Sequence, residues 1–183
     1  MYSVSAQIND VGLVKIPLLP APGFGIDVPA VLSALTNEPN IKLVYLTSPG
    51  NPTGASLAKE DVRQILNHPT WNGVVIVDEA YVDFAGVDSP SLAEWAVEWP
   101  NLVVMQTLSK GFGLAGIRLG AIFTSPEIAG LLNNLQAPYN IPSRAALGAC
   151  LRSFSSLRGL PLTRRRLLVR LWGRGCYTVW VGC

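Results

Sequence analysis

The chain has 183 residues, 49% of them hydrophobic and 14% charged, with a net charge of +2. That length suits one domain with a buried core, and that composition excludes a disordered polypeptide. The opening MYSVSAQIND lacks the basic start and apolar run of a secretory signal, and Ile128–Ser143 is too short and too polar to span a bilayer, so a soluble, cytoplasmic protein is expected.

Taken in chain order, a first apolar run at Leu13–Leu18 predicts a strand, and 28–36 a helix. Leu43–Thr47 reads as the next strand and 57–67 as the next helix. Val74–Val77 is a third strand. Ser91, with Glu94 three residues later, forms a capping box that opens a helix over 91–98. Leu102–Thr107 and Leu119–Thr124 complete the strands. Ser125-Pro126-Glu127 then combines a cap, a preset φ and a favourable charge at the start of a helix over 126–136. The strands are nearly continuous in Val, Ile and Leu, as expected of strands buried on both faces in a parallel sheet. Alternating strands and helices give an α/β, three-layer domain around a mostly parallel sheet.

Charge divides the chain. Residues 1–143 hold all twelve acidic groups and six basic ones, a net −6, whereas 144–183 hold eight Arg and no acid, a net +8. The natural boundary is therefore 143/144, with an Arg-rich tail beyond it. A non-native reading frame or unspliced sequence would explain so abrupt a change; a basic disordered or partner-binding tail is the alternative, with nucleic acid the less favoured partner. All three cysteines lie in the tail without a CxxC pair, so no metal or redox site is expected.

Ligands of parallel α/β sheets sit at the carboxyl ends of strands. Three predicted strands here end in polar residues. LVYLTSPGNPTG ends in a loop carrying Asn51. VVIVDEAY ends in Asp78, Glu79 and Tyr81. LVVMQTLSKGFGLAGIR ends in Thr107, Ser109 and Lys110, with Arg118 eight residues beyond Lys110. An amide, a carboxylate, a phenol, an amine and a guanidinium would gather along one sheet edge. Glu79 reads as a supporting or structural group, and His68, in NHPT, as a turn residue. Trp71, Trp95 and Trp99 read as packing residues.

SPGNPTG, VDEAY and TLSKGFGLAGIRLG, in that order and about thirty residues apart, resemble the motif set of fold-type I pyridoxal-phosphate-dependent aminotransferases. Within that family, MYSVSA, DEAYVDF and TLSKGFGLAGIR resemble the histidinol-phosphate aminotransferase group. The resemblance covers residues 1–143 and implies part of the family's large domain, truncated at both ends. It implies transamination of histidinol phosphate with 2-oxoglutarate, in histidine biosynthesis, by a homodimer acting on a small amino-acid substrate. Lys110 would be the Schiff-base lysine, and Asp78 would keep the cofactor's ring nitrogen charged. Asn51 and Tyr81 would bond the ring hydroxyl. Arg118, Ser109 and Thr107 would hold the phosphate, and Tyr2 matches a tyrosine of the family's active site. The chemistry suits these residue types, because an amine forms the imine and a buried acid favours a pyridinium.

Other readings remain. Gly111–Gly116 matches G-x-G-x-x-G, but TLSK separates it from its strand and no helix is expected to follow, against a dinucleotide fold. VVIVDE resembles an ATPase acidic strand, yet no phosphate loop of the GxxxxGK type occurs. Another aminotransferase of the same fold, an amino-acid-phosphate decarboxylase and a non-catalytic fragment are the open alternatives. The family's small domain, with its arginine for the substrate carboxylate, has no matching motif here.

Overall fold

The computed structural model describes residues 2–86 and 91–135. The tail over 144–183, with its reading-frame question, lies outside the described residues.

Among the described residues the α-helices and strands follow in the order α1 (Tyr2–Ile8), α2 (Val28–Asn37), β1 (Leu43–Thr47), α3 (Lys59–Leu66), β2 (Val74–Asp78), β3 (Leu102–Thr107), β4 (Gly120–Phe123) and α4 (Pro126–Leu135). The sheet order is β1-β2-β3-β4. The first three strands are parallel, with Thr47 beside Asp78 and Asp78 beside Met105, and β4 runs antiparallel to β3. Thr47, Asp78 and Thr107 thus lie near one end of the sheet, where the connecting loops begin.

Side chains alternate across a strand, and this divides the sheet into two unlike faces. Val75, Val77, Leu102 and Val104 point to one face and are fully buried. They pack with Val31 and Leu35 of α2, Val62 and Ile65 of α3, and Leu92. Each side chain of this size contributes about 1.5–3 kcal/mol on burial. α2 starts where Asp27 accepts from Ala30 N at 3.1 Å, with Pro29 in its first turn. α3 carries Glu60 and Asp61 in its first turn, where the helix dipole favours acids.

The opposite face is only partly covered over β1 and β2, which corrects there the expectation of strands buried on both sides; it holds in β3 and β4, where neighbours such as Leu102 and Val103, or Ala121 and Ile122, are all buried. Val74, Ile76 and Asp78 are half-buried while Val75 and Val77 are sealed. Three other expectations change. Leu13–Leu18 forms no strand: it is irregular, and Leu13, Val14 and Leu18 are exposed, with only Ile16 of the run reaching the core. An apolar run supplies β-propensity but no partner, and backbone pairing needs both. The helix over 91–98 is a 3-10 helix at Leu92–Val97. Ser91 does cap it, but its hydroxyl accepts from Ala93 N at 3.0 Å rather than from the Glu94 N of the predicted capping box, and it donates to Glu79. α1 was not expected from sequence. His68 takes the turn role assigned to it: its Nδ1 accepts from Trp71 N at 3.0 Å, just past α3. Trp71, Trp95 and Trp99 pack against the core.

Candidate active site

The loop after β1 is folded by its own polar groups. Gly50 N donates to Ala55 O at 2.9 Å, Gly54 N to Gly50 O at 2.8 Å, and Leu57 N to Ser48 Oγ at 3.0 Å. Gly54 sits at φ 69°, a left-handed conformation that glycine adopts without steric cost. This turn presents Asn51, whose Nδ2 donates to the Tyr81 hydroxyl at 3.1 Å.

Asp78 ends β2 and points to the open face. Its Oδ1 accepts from Ala80 N at 2.9 Å. Its Oδ2 accepts from the Tyr2 hydroxyl and, at 3.3 Å, from the Tyr45 hydroxyl. The two phenol rings meet with centroids 4.0 Å apart at 39°. Burial, followed by the bond to Asp78, pushes the Tyr2 phenol up to about 12. Burial, followed by the bond with Tyr2, also raises that of Tyr45. Both phenols are therefore held neutral as donors to the carboxylate.

Lys110 follows β3, and its Nζ lies 5.5 Å from the centroid of the Tyr81 ring. A groove of about 290 Å³ opens beside Asn51, Tyr81 and Phe84. Tyr2, Asn51, Asp78, Tyr81 and Lys110 thus form a continuous cluster: Tyr2 touches Asp78, one turn of chain joins Asp78 to Tyr81, and Tyr81 meets both Asn51 and Lys110. The described bonds of Thr107, Ser109 and Arg118 run within the β3–β4 connection. Thr107 Oγ1 accepts from Ser109 N at 3.1 Å and donates to Leu119 O at 3.4 Å. Arg118 takes a left-handed φ of 55° and donates from Nη1 to Ala115 O at 3.0 Å.

Tyr45 was not foreseen. Its signal is parity: register pairs it with Ile76, so it shares a face with Asp78 two residues on. That inference needs the pairing of β1 with β2, which one strand's sequence does not contain. Parity also separates Asp78 from Glu79. Glu79 turns to the core face and is only 3% exposed.

Comparison with known proteins gives a consistent result. The profile of the family described as aminotransferase class I and II matches residues 1–157. The chain is 53% identical over 152 residues to histidinol-phosphate aminotransferase of Schizosaccharomyces pombe, covering 81% of this chain and 39% of that protein. It is 51% identical over 148 residues to the Saccharomyces cerevisiae enzyme of the same name, covering 80% and 37%. The crystal structure of histidinol-phosphate aminotransferase from Sinorhizobium meliloti, in complex with pyridoxal-5'-phosphate, superposes with a TM-score of 0.72 at 26% identity, over 84% of this chain and 40% of that one. The chain therefore spans about two fifths of the length of these relatives.

Proposed function

The chain belongs to the class I and II aminotransferase family, and from that premise we propose that it serves pyridoxal-phosphate-dependent transamination. The donor would be histidinol phosphate and the acceptor 2-oxoglutarate, yielding imidazole acetol phosphate and glutamate in histidine biosynthesis. The names of the similar enzymes support this substrate. The observation that carries the reading is the single cluster of amine, phenol, amide and carboxylate at Lys110, Tyr81, Asn51 and Asp78.

These groups fit the cofactor chemically. A carboxylate offers about four acceptor positions. Ala80 N, Tyr2 and Tyr45 use three at Asp78, which leaves room for one more donor such as a ring N–H. Pyridoxal phosphate supplies an aldehyde that takes up amino groups and a ring that accepts electrons from the substrate. Lys110 Nζ would hold that aldehyde covalently, and its amine is the group on this chain suited to take the proton from the substrate α-carbon. Asp78 keeps the ring nitrogen protonated by placing a negative charge beside it. Asn51 and Tyr81 would donate to the ring hydroxyl, and their mutual bond orients both. Arg118, Ser109 and Thr107 hold the phosphate, Arg118 through charge-assisted donors. Tyr2 borders the ring site through its bond to Asp78.

In the same reading the protein is a cytoplasmic homodimer acting on a small amino-acid substrate. Exposed apolar residues of α1 and the following segment, among them Val4, Ile8, Val11 and Leu13, support association. No described helix is long and apolar enough to cross a membrane.

The test is an absorbance titration of the chain with pyridoxal phosphate. A band at roughly 400–430 nm, of the kind imines of this cofactor give, should form and should vanish in Lys110→Ala. Lys110 is exposed, so the variant should keep its circular dichroism spectrum. A band that survives the substitution removes Lys110 from its role. Glutamate formed from histidinol phosphate and 2-oxoglutarate then tests turnover.

A further inference from the structure

The Glu79 side chain lies on the core face of the sheet, away from the ring site, and is 3% exposed. A carboxyl group so buried needs donors. It has three. Leu92 N donates to Oε1 at 2.7 Å, and Gln106 Nε2 and the Ser91 hydroxyl donate to Oε2 at 2.6 and 2.5 Å. Gln106 Nε2 also lies 2.8 Å from Ser91 Oγ, so the four groups close into one network. Its members come from the end of β2, the end of β3 and the start of the 3-10 helix.

The Glu79 backbone is held as firmly. Glu79 N donates to Met105 O at 2.8 Å, the carbonyl of Asp78 accepts from Ser48 N at 2.9 Å, and Glu79 O accepts from Val82 N at 3.1 Å. Asp78 precedes this anchored residue, and Tyr81 lies inside the turn that Glu79 O closes. A shift of Glu79 must therefore move the acid and the phenol together. We propose that Glu79 is a positioning residue: its buried bonds to Ser91, Leu92 and Gln106 fix the aim of Asp78 and Tyr81 on the opposite face. This rests on the cofactor reading above for its consequence, but the geometry it asserts can be read without cofactor.

Glu79→Gln keeps the shape and opposes an amide N–H₂ to the donors of Gln106 and Ser91. Exchanging the pair, Glu79→Gln with Gln106→Glu, restores a complementary set: the new amide oxygen accepts from Leu92 N, and its N–H₂ donates to the new carboxylate, which can also accept from Ser91. Two readouts apply to the full chain, each on protein shown folded by circular dichroism. The first is the dissociation constant of pyridoxal phosphate from the Lys110-dependent band. The second, free of cofactor, is the ionisation of Tyr2 by NMR of labelled tyrosines, because Tyr2 bonds Asp78 and its phenol is raised to about 12.

In Glu79→Gln the dissociation constant should rise about tenfold, by analogy with the lower end of what outer partners of metal ligands contribute. Tyr2 should fall part of the way toward 10.0, because its bond to Asp78 is the second cause of the rise and burial, the first, remains. The exchanged pair should recover both. If Glu79→Gln does not fold, Ser91→Ala, which deletes one donor, should show the same changes in smaller degree. Unchanged Tyr2 ionisation and unchanged cofactor affinity in the folded variant would overturn the proposal. So would a loss that the exchanged pair does not recover. Should the band itself not depend on Lys110, the cofactor reading fails, and Tyr2 alone decides on Glu79.

Discussion

Gly111 gives a sharp test of how the lysine segment is placed. A Cβ added there would fall 2.5 Å from Asp83 Cβ, 3.0 Å from its Oδ2 and 3.1 Å from its Cγ. Asp83 Cβ is fixed to the backbone of the short 3-10 helix Val82–Phe84, so it cannot swing aside as a chain end could. Reaching ordinary contact requires the two segments to part by about 1 Å. Gly111 is not among the glycines with positive φ, so backbone strain adds nothing. The clash is the whole effect. Overpacking of this kind costs about 1–3 kcal/mol, and a misplacement of about 1 Å at a reacting group can cost roughly a hundredfold in rate. Gly111→Ala should therefore lower the melting temperature by several degrees and weaken the Lys110-dependent band. The control is Gly116→Ala in the same connection, where a Cβ meets nothing within 4 Å and no positive φ is required. It should behave as the parent. Thermal melts and cofactor titrations of both variants measure this. If Gly111→Ala melts and titrates like Gly116→Ala, the close approach of Asp83 does not position Lys110.

Ile65 is fully buried between α3 and the sheet, and Ile65→Ala should cost about 2–5 kcal/mol in a denaturant melt, whereas Leu135→Ala, at 84% exposure, should be near silent. Stability should also fall at alkaline pH. The folded chain holds the Tyr2 phenol at about 12 against an ordinary 10.0, so between those values the folded state binds the proton that the unfolded state releases. The stabilisation is complete below pH 10 and is lost as pH rises toward about 12. Denaturant midpoints measured across that range should decline less steeply in Tyr2→Phe; equal slopes would remove Tyr2 as the cause.

Much of the fold was legible because its signals are local. Leu43–Thr47 and Leu102–Thr107 end in the structure where their apolar runs end, and α4 begins at Pro126 as its cap, fixed φ and acid require. The motif loops were legible for the same reason: turn chemistry at Gly50–Ala55 and polar residues after apolar runs are properties of neighbours in sequence. Leu13–Leu18 and Tyr45 were not. The first has the composition of a strand and no pairing strand; the second is one more apolar residue until β1 and β2 are set in register.

The sequence by itself determined where the runs that became β1, β2 and β3 give way to polar loops, and so which polar groups arrive at one end of the sheet. Period-two alternation even separates Asp78 from Glu79. What alternation cannot state is which side the rest of the chain will cover. The tertiary structure decided that, by packing α2, α3 and the 3-10 helix at Leu92 onto the face of Val75, Val77 and Glu79. Glu79 thereby lost water and gained three buried donors, while Asp78 kept an open side and two phenols. Burial depends on contacts between distant segments, and those are absent from any local window of sequence.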